Sequence, residues 1–357
     1  MIKLFNFNVF FLFIFFGFVG NYLIINFWRP EIYRRFGLKK YQAIQKIHDK
    51  DVPRLGGLVY FCTIFIYFLI CKTDDSNLII RSVLIPLIPL LFIGLKEDLF
   101  HHTDPNIRLF FILFSGWLFR VYYLGPYPDM SNVPIISNLF SLQGGAGFFY
   151  VLSIAALING MNLIDGVNGL CGFVAMSILA SLLFIAYNVN DNFMFNVIFL
   201  SMVLLIPFLA FNFPNGKIFL GDMGSYGLGG LISMLIIVMF GRHPDLSVWL
   251  APFILIYPIT ELIFSILRRF FTKKFIFSAD LKHLHILMYK AKLLKHKECE
   301  SKHNANGMVA PSLFILWSFP CLIIFYNFKS LKLIFLSMLV FIAMYLTIYF
   351  FVRSRVK

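Results

Sequence analysis

The feature that most constrains this chain is a succession of long apolar runs almost free of charge, such as "FNFNVFFLFIFFGFVGNYLIINFW" at 5–28. A run of about 18 or more apolar residues can cross the hydrocarbon core of a bilayer as a helix. A soluble domain of 357 residues could not hide a chain that is 60% hydrophobic and only 13% charged. A transmembrane β-barrel would alternate apolar and polar residues, and these runs do not alternate. The expected fold is therefore an all-α integral membrane protein, one polytopic domain over 1–357 with no soluble module. About 11 transmembrane helices are expected, near 6–28, 55–72, 78–95, 109–124, 145–162, 170–188, 193–212, 224–240, 247–267, 309–327 and 331–352. The first run has no small-residue cleavage site and reads as a retained span rather than a signal peptide.

The net charge of +14 does not point to nucleic acid, because Lys and Arg gather in a few connections between spans. The loop near 29–54 carries Arg29, Arg34, Arg35, Lys39, Lys40, Lys46, Lys50 and Arg54, and the loop near 268–308 carries a second basic group. With eleven spans both fall on one side, together with the loops near 96–108, 163–169 and 213–223 and the basic C-terminal tail. The connections on the other side are nearly free of Lys and Arg. This asymmetry makes the first side cytoplasmic and puts the N-terminus outside. The five cysteines form no CxxC pair and no disulfide framework.

Polar residues collect on the same side, in "KIHDKDVPRLGGL" (46–58), "GLKEDLFHHTDPNIRL" (94–109), "NGMNLIDGVNGL" (159–170), "FNFPNGKIFLGDMGSYGLG" (211–229) and "SADLKHLHILMYK" (278–290). Ionisable groups at span ends line a substrate path or do chemistry when they are more than interfacial solvation. Glu97 and Asp98 are adjacent carboxylates that raise each other's pKa unless a cation sits near them. Asp222, between Gly221 and Gly224 at the start of a span, reads either as an N-cap or as a metal ligand beside a phosphate-binding helix N-terminus. His283 and His285 point the same way on an extended segment and splay on a helix. Asn159, Asn162, Asp165 and Asn168 recur every third residue, a step that drifts by about 60° per member on an α-helix. Asp165-Gly166 signals a break, so a polar hairpin accounts for the glycines but not for Asn159 and Asn162.

Taken in order, these segments resemble the polyprenyl-phosphate N-acetylhexosamine-1-phosphate transferases, glycosyltransferase family 4. That family includes the undecaprenyl-phosphate GlcNAc-1-phosphate transferases and, more distantly, the phospho-N-acetylmuramoyl-pentapeptide transferase. The resemblance runs from about Lys46 to His285. The family's "VPRLGG", "GxxDD", "NxxNxxDGxDGL", "KIFxGDxGS" and His-x-His-His patterns stand here as "VPRLGG", "GLKED", "NGMNLIDGVNGL", "KIFLGDMGS" and "HLHI". Glu97, Asn168 and Ile286 replace the family's usual Asp, Asp and His, and Asn106 stands where many members carry Lys.

The resemblance implies transfer of a sugar 1-phosphate from a UDP-N-acetylhexosamine to undecaprenyl phosphate with release of UMP. That reaction initiates O-antigen or a related cell-wall glycan at the bacterial inner membrane. It implies Mg²⁺, with Mn²⁺ as an alternative, held by Asp222 and Asn162. Glu97, Asp98 and Asp165 are the catalytic candidates. Lys46, His48, Asn159, Asn168, Gly221, His283 and His285 are the substrate-binding candidates. The expected partners are the two substrates and the bilayer, with a homodimer allowed for and no nucleic acid. Two other classes are the alternatives. A secondary transporter would place its binding groups near mid-bilayer and show repeats between halves, and no repeat is found. An intramembrane aspartyl protease would carry GxGD, where this chain has Phe219 at the first glycine position.

Overall fold

The computed structural model describes residues 7–27, 52–71, 74–101, 103–130, 133, 136–140, 142–272, 282–295 and 302–356. Among these residues there are helices and connections and no strand. The helices used below are α1 (Phe7–Phe27), α2 (Gly56–Ile70), α3 (Asn77–Phe100), α4 (Pro105–Tyr122), α5 (Gly145–Ile164), α6 (Leu170–Asn188), α7 (Asn192–Asn212), α8 (Gly221–Arg242), α9 (Ile256–Phe271), α10 (Leu284–Lys295), α11 (Ala305–Asn327) and α12 (Leu331–Val356). Eight of them, α1, α3, α5, α6, α7, α8, α11 and α12, are long and apolar enough to cross a bilayer. The stretches expected at 55–72, 109–124 and 247–267 are also helical, but as α2, α4 and α9 with its preceding turn Leu250–Ile254, which fall short of those criteria. The protein is an all-α integral membrane protein. Of the expected eleven crossings, eight meet the criteria of length and composition among the described residues.

The bundle is built round α8. Every residue of α8 from Gly221 to Gly241 is buried, as expected of a helix with no polar face. It packs against α5, α3, α2 and α6. Close approach to α3 is possible because position 94 has no side chain: a Cβ there would lie 2.4 Å from Met223 Cα. The peripheral helices behave oppositely. On α1, Phe11 is 63% exposed, and Phe16, Phe27, Phe350 and Phe351 on α1 and α12 are exposed too. Such a surface is unfavourable in water and ordinary against lipid.

Buried hydrogen bonds fasten helices to each other where apolar packing alone gives little preference inside a bilayer. The Tyr60 hydroxyl of α2 donates to the Ser201 carbonyl of α7 at 2.8 Å. Ser115 of α4 donates to the Pro86 carbonyl of α3 at 2.7 Å.

A polar knot also closes the end of α8 remote from the residues of the family motifs. Asp191 accepts from Arg242 Nε at 2.8 Å, contacts His243 Nε2 at 2.8 Å and accepts from the Met194 N–H at 3.0 Å, capping α7. Burial alone would raise the Asp191 carboxyl. The Arg242 hydrogen bonds, the Met194 N–H and His243 outweigh it and hold the group below its usual value of 3.8. A carboxyl with a depressed folded pKa stabilises the fold above its unfolded value, and that contribution is lost as pH falls through the folded one. Asp191→Asn is expected to cost about 1–3 kcal/mol at neutral pH. It should also flatten the loss of thermal stability on acidification below pH 3.8. Melting of the detergent-solubilised protein from pH 7 downward reads both effects.

Candidate active site

At the other end of α8 the five polar segments meet. The first four N–H groups of a helix have no partner within it, and here they emerge inside the protein. Asp98, from the last turn of α3, takes two of them: Asp222 N donates to Oδ1 at 2.8 Å and Met223 N to Oδ2 at 2.9 Å. The N-terminal end of the helix dipole favours the anion there. Gly221 makes the approach possible. Its φ is +79°, and a Cβ would lie 2.4 Å from both the Asp98 Oδ2 and the Arg54 carbonyl oxygen.

Arg54 ties the carboxylates together. Its Nε donates to Asp98 Oδ1 at 3.0 Å and its Nη2 to Asp222 Oδ1 at 2.8 Å. Arg108 of α4 stands 3.8 Å from the other Asp222 oxygen. The backbone carrying Arg54 is fixed to the chain before α8 by three bonds: Phe219 N to Pro53 O at 2.8 Å, Gly56 N to Phe219 O at 2.9 Å and Gly57 N to Leu220 O at 2.9 Å. "VPRLGG" and "KIFLGD" therefore form one rigid unit.

From the opposite wall, Asn162 of α5 donates through Nδ2 to Ser225 Oγ at 3.0 Å, one turn into α8. Its Oδ1 accepts no hydrogen bond from the described residues. Asp165 follows at the end of α5, and its carboxylate likewise accepts none among them. Burial pushes the Asp165 carboxyl well above its usual value; Arg54 pulls it down, and Asp222 and Asp98 push it further up. Three carboxylates thus lie within electrostatic reach of one another.

The remaining candidates sit around this centre in different ways. Glu97 Oε2 accepts from the Thr103 N–H at 2.9 Å and shapes the turn after α3. Asn159 donates to the Ala155 carbonyl of its own helix at 2.8 Å. His283 and His285 are buried, and their rings stack at 5.7 Å and 13°. The chain enters α10 between them, so the pair is aligned although His285 is helical. His283 Nδ1 lies 3.3 Å from Glu261 Oε2 of α9. Burial lowers the His285 pKa to about 4, with Glu261 opposing and His283 adding, so its ring is neutral at pH 7. His285 Nε2 abuts Gly166, where a Cβ would lie 2.4 Å away, and neither ring nitrogen finds a partner among the described residues. Lys46 and His48 lie outside the described residues.

Comparison with known proteins points to one family. The model of the family "Glycosyl transferase family 4" matches residues 80–240. An undecaprenyl-phosphate alpha-N-acetylglucosaminyl 1-phosphate transferase of Thermotoga maritima is 30% identical over 241 residues, 68% of this chain and 69% of that protein. A probable undecaprenyl-phosphate N-acetylglucosaminyl 1-phosphate transferase of Bacillus subtilis is 26% identical over 242 residues, 68% of this chain and 66% of the relative. A phospho-N-acetylmuramoyl-pentapeptide-transferase of Clostridium perfringens is 27% identical over 223 residues, covering 57% and 66%. The chain belongs to glycosyl transferase family 4. It spans about two thirds of the length of these relatives.

Within the family pattern, Asn168 is this chain's departure with a visible structural reason. The residue is 1% exposed. Its backbone N–H donates to Asn306 Oδ1 at 2.7 Å and its Nδ2 to the Pro214 carbonyl at 2.9 Å. Next to it, Gly169 N donates to Asn212 Oδ1 at 2.6 Å. Asn168 thus pins the 165–169 corner to the chain before α8, where it was expected to bind substrate. Several positions that matter here were passed over in the sequence: Arg54, Arg108, Asn212, Glu261 and Asn306. Glu261 carried a usable signal, a lone carboxylate within an apolar run.

Asn168→Asp, which restores the usual family residue, is expected to destabilise the protein. It sets a carboxylate oxygen against the Pro214 carbonyl in a buried position, and the cost is about 1–3 kcal/mol. A lower melting temperature with no gain in turnover is the expected outcome.

Proposed function

We propose that this chain transfers an N-acetylhexosamine 1-phosphate from a UDP-sugar to undecaprenyl phosphate on the cytoplasmic face of a bacterial inner membrane. UMP is released, and the step starts a cell-surface glycan of the O-antigen kind. The activities for which the Thermotoga and Bacillus relatives are named support the reaction class. The observation that carries the reading is the convergence at one helix end of Asp222, Asp165 and Asn162 with Arg54 and Arg108.

The reaction exchanges one phosphoanhydride for another. An oxygen of the lipid phosphate attacks the phosphorus that bears the sugar. The bond from that phosphorus to the bridging oxygen breaks, and UMP departs with the bridging oxygen. The attacking phosphate is already an anion, so catalysis is largely positioning and charge neutralisation. The rigid unit of Pro53–Gly57 with Phe219 and Leu220 fixes where Arg54 and Asp222 stand. Arg54 and Arg108 supply positive charge for phosphate oxygens. Asp98 has both oxygens engaged by α8 and Arg54, so its task is to hold that helix end in place. Asp165, pushed toward its neutral form, sits where a proton or a cation decides its charge.

The residues fit the divalent cation that the family implies. Asp222, Asp165 and Asn162 offer hard oxygen donors, two of them without protein partners among the described residues, and Mg²⁺ takes few protein oxygens alongside phosphate and water. Those three would hold Mg²⁺ or Mn²⁺, which when bound offsets charge on a diphosphate. Net positive charge on connections of this side supports a cytoplasmic site, where a water-soluble sugar nucleotide and a bilayer-borne phosphate can meet.

Membranes containing the protein, given undecaprenyl phosphate and a panel of UDP-N-acetylhexosamines, are expected to release UMP and form a lipid-linked sugar only when the lipid is present. Asp222→Asn should lower turnover by about 100-fold or more while the protein still inserts. Absence of UMP with every donor in the panel would overturn the reading.

A further inference from the structure

Arg54 holds an unusual place. Its Nη2 occupies Asp222 Oδ1, an oxygen of the carboxylate assigned to the cation, while its Nε occupies Asp98. The Asp98 side chain is 0% exposed and that of Asp222 11%, whereas that of Arg54 is 25% exposed. The guanidinium therefore covers both carboxylates from the open side. The backbone on either side of Arg54, at Pro53, Gly56 and Gly57, is held by the bonds to Phe219 and Leu220, which fixes the point from which the guanidinium reaches both carboxylates. Asp165 adds a third carboxyl group with no hydrogen-bonding cation of its own among the described residues. Arg108 is 3.8 Å from Asp222 and makes a weaker contact.

These observations join into one inference, which rests on the proposed cation site. We propose that Arg54 is a built-in counter-ion that stands in for the divalent cation and competes with it for Asp222. In the cation-free protein it keeps Asp98 and Asp222 from repelling each other within a packed bundle, where like charges are costly. A cation that binds Asp222 has to share that carboxylate with Arg54, whose charge at Oδ1 opposes it. The site is thereby protected against collapse when empty, at the expense of cation affinity. An arginine is suited to this task because its planar fork spans two carboxylates, which the compact ammonium of lysine does not.

A residue that merely supported the site would loosen cation binding when removed. A competing counter-ion predicts the opposite. Binding of Mn²⁺ to the purified full-length protein in detergent, without nucleotide or lipid, is followed by the loss of the free-ion electron paramagnetic resonance signal. Arg54→Gln is expected to tighten Mn²⁺ binding on the order of tenfold, as loss of one close charge competitor implies. The cation-free variant should melt lower than wild type and gain more from added Mn²⁺ by linkage. Arg54→Lys should fall between the two, and it decides the matter alone if the glutamine variant does not fold. Unchanged or weaker Mn²⁺ binding in the variants, with normal binding in wild type, overturns the counter-ion role and leaves the proposed cation site standing. No Mn²⁺ binding to wild type overturns the cation site itself, and the counter-ion role with it.

Discussion

The arrangement depends on how the N-terminus of α8 is satisfied. A helix buried along its whole length delivers its unpaired N–H groups into protein, and leaving them without partners is costly. Asp98 meets two of them. That single capping contact brings α3 to α8, requires glycine at 94 and 221 for the approach, and places a carboxylate where it needs a positive partner. Arg54 is that partner, and through its second nitrogen it fixes Asp222. Stability and site geometry thus share the same atoms, and a substitution made to test chemistry at Asp98 also tests the seating of the central helix.

The sequence was legible where the physics is local. Apolar runs long enough to span a bilayer give helices because no water is there to satisfy an open backbone, and each stretch expected to span is helical. Convergence of the five polar segments was legible for a related reason, since charged groups at span ends must find each other or water. What was not legible was the division of labour inside that cluster. Asp98 and Asp222 look alike in sequence, yet one has both oxygens taken by a helix end and the other keeps an oxygen that, among the described residues, only Arg108 approaches. Arg54 read as one more loop charge setting topology. Its role depends on a partner 168 residues away, which spacing does not reveal.

The histidine pair shows the same limit. Sequence reasoning offered two outcomes, aligned on an extended segment or splayed on a helix. The structure aligns them across the start of a helix, with Glu261 of α9 beneath. His285 is neutral at pH 7, so its nitrogens are hydrogen-bonding groups at that pH and not charges. Its Nε2 lies against Gly166 and has no protein partner among the described residues. A buried polar atom left unpaired costs free energy in the empty protein, and one beside the Asp165 corner is well placed to be satisfied by whatever binds there.

The departures from the family pattern then separate by physical cause. Asn168 is settled by its own hydrogen bond: an amide can donate to the Pro214 carbonyl and a carboxylate cannot. Its lost charge therefore reports on how the 165–169 corner is anchored more than on what the site binds. Glu97 is a milder case. The longer side chain reaches the Thr103 N–H and shapes the turn that leads to Arg108. Glu97 itself makes no hydrogen bond to Asp222, Asp165 or Asn162 among the described residues. Substitutions that look conservative in sequence act here through backbone partners, because in a bundle this closely packed the loops have few other ways to be held.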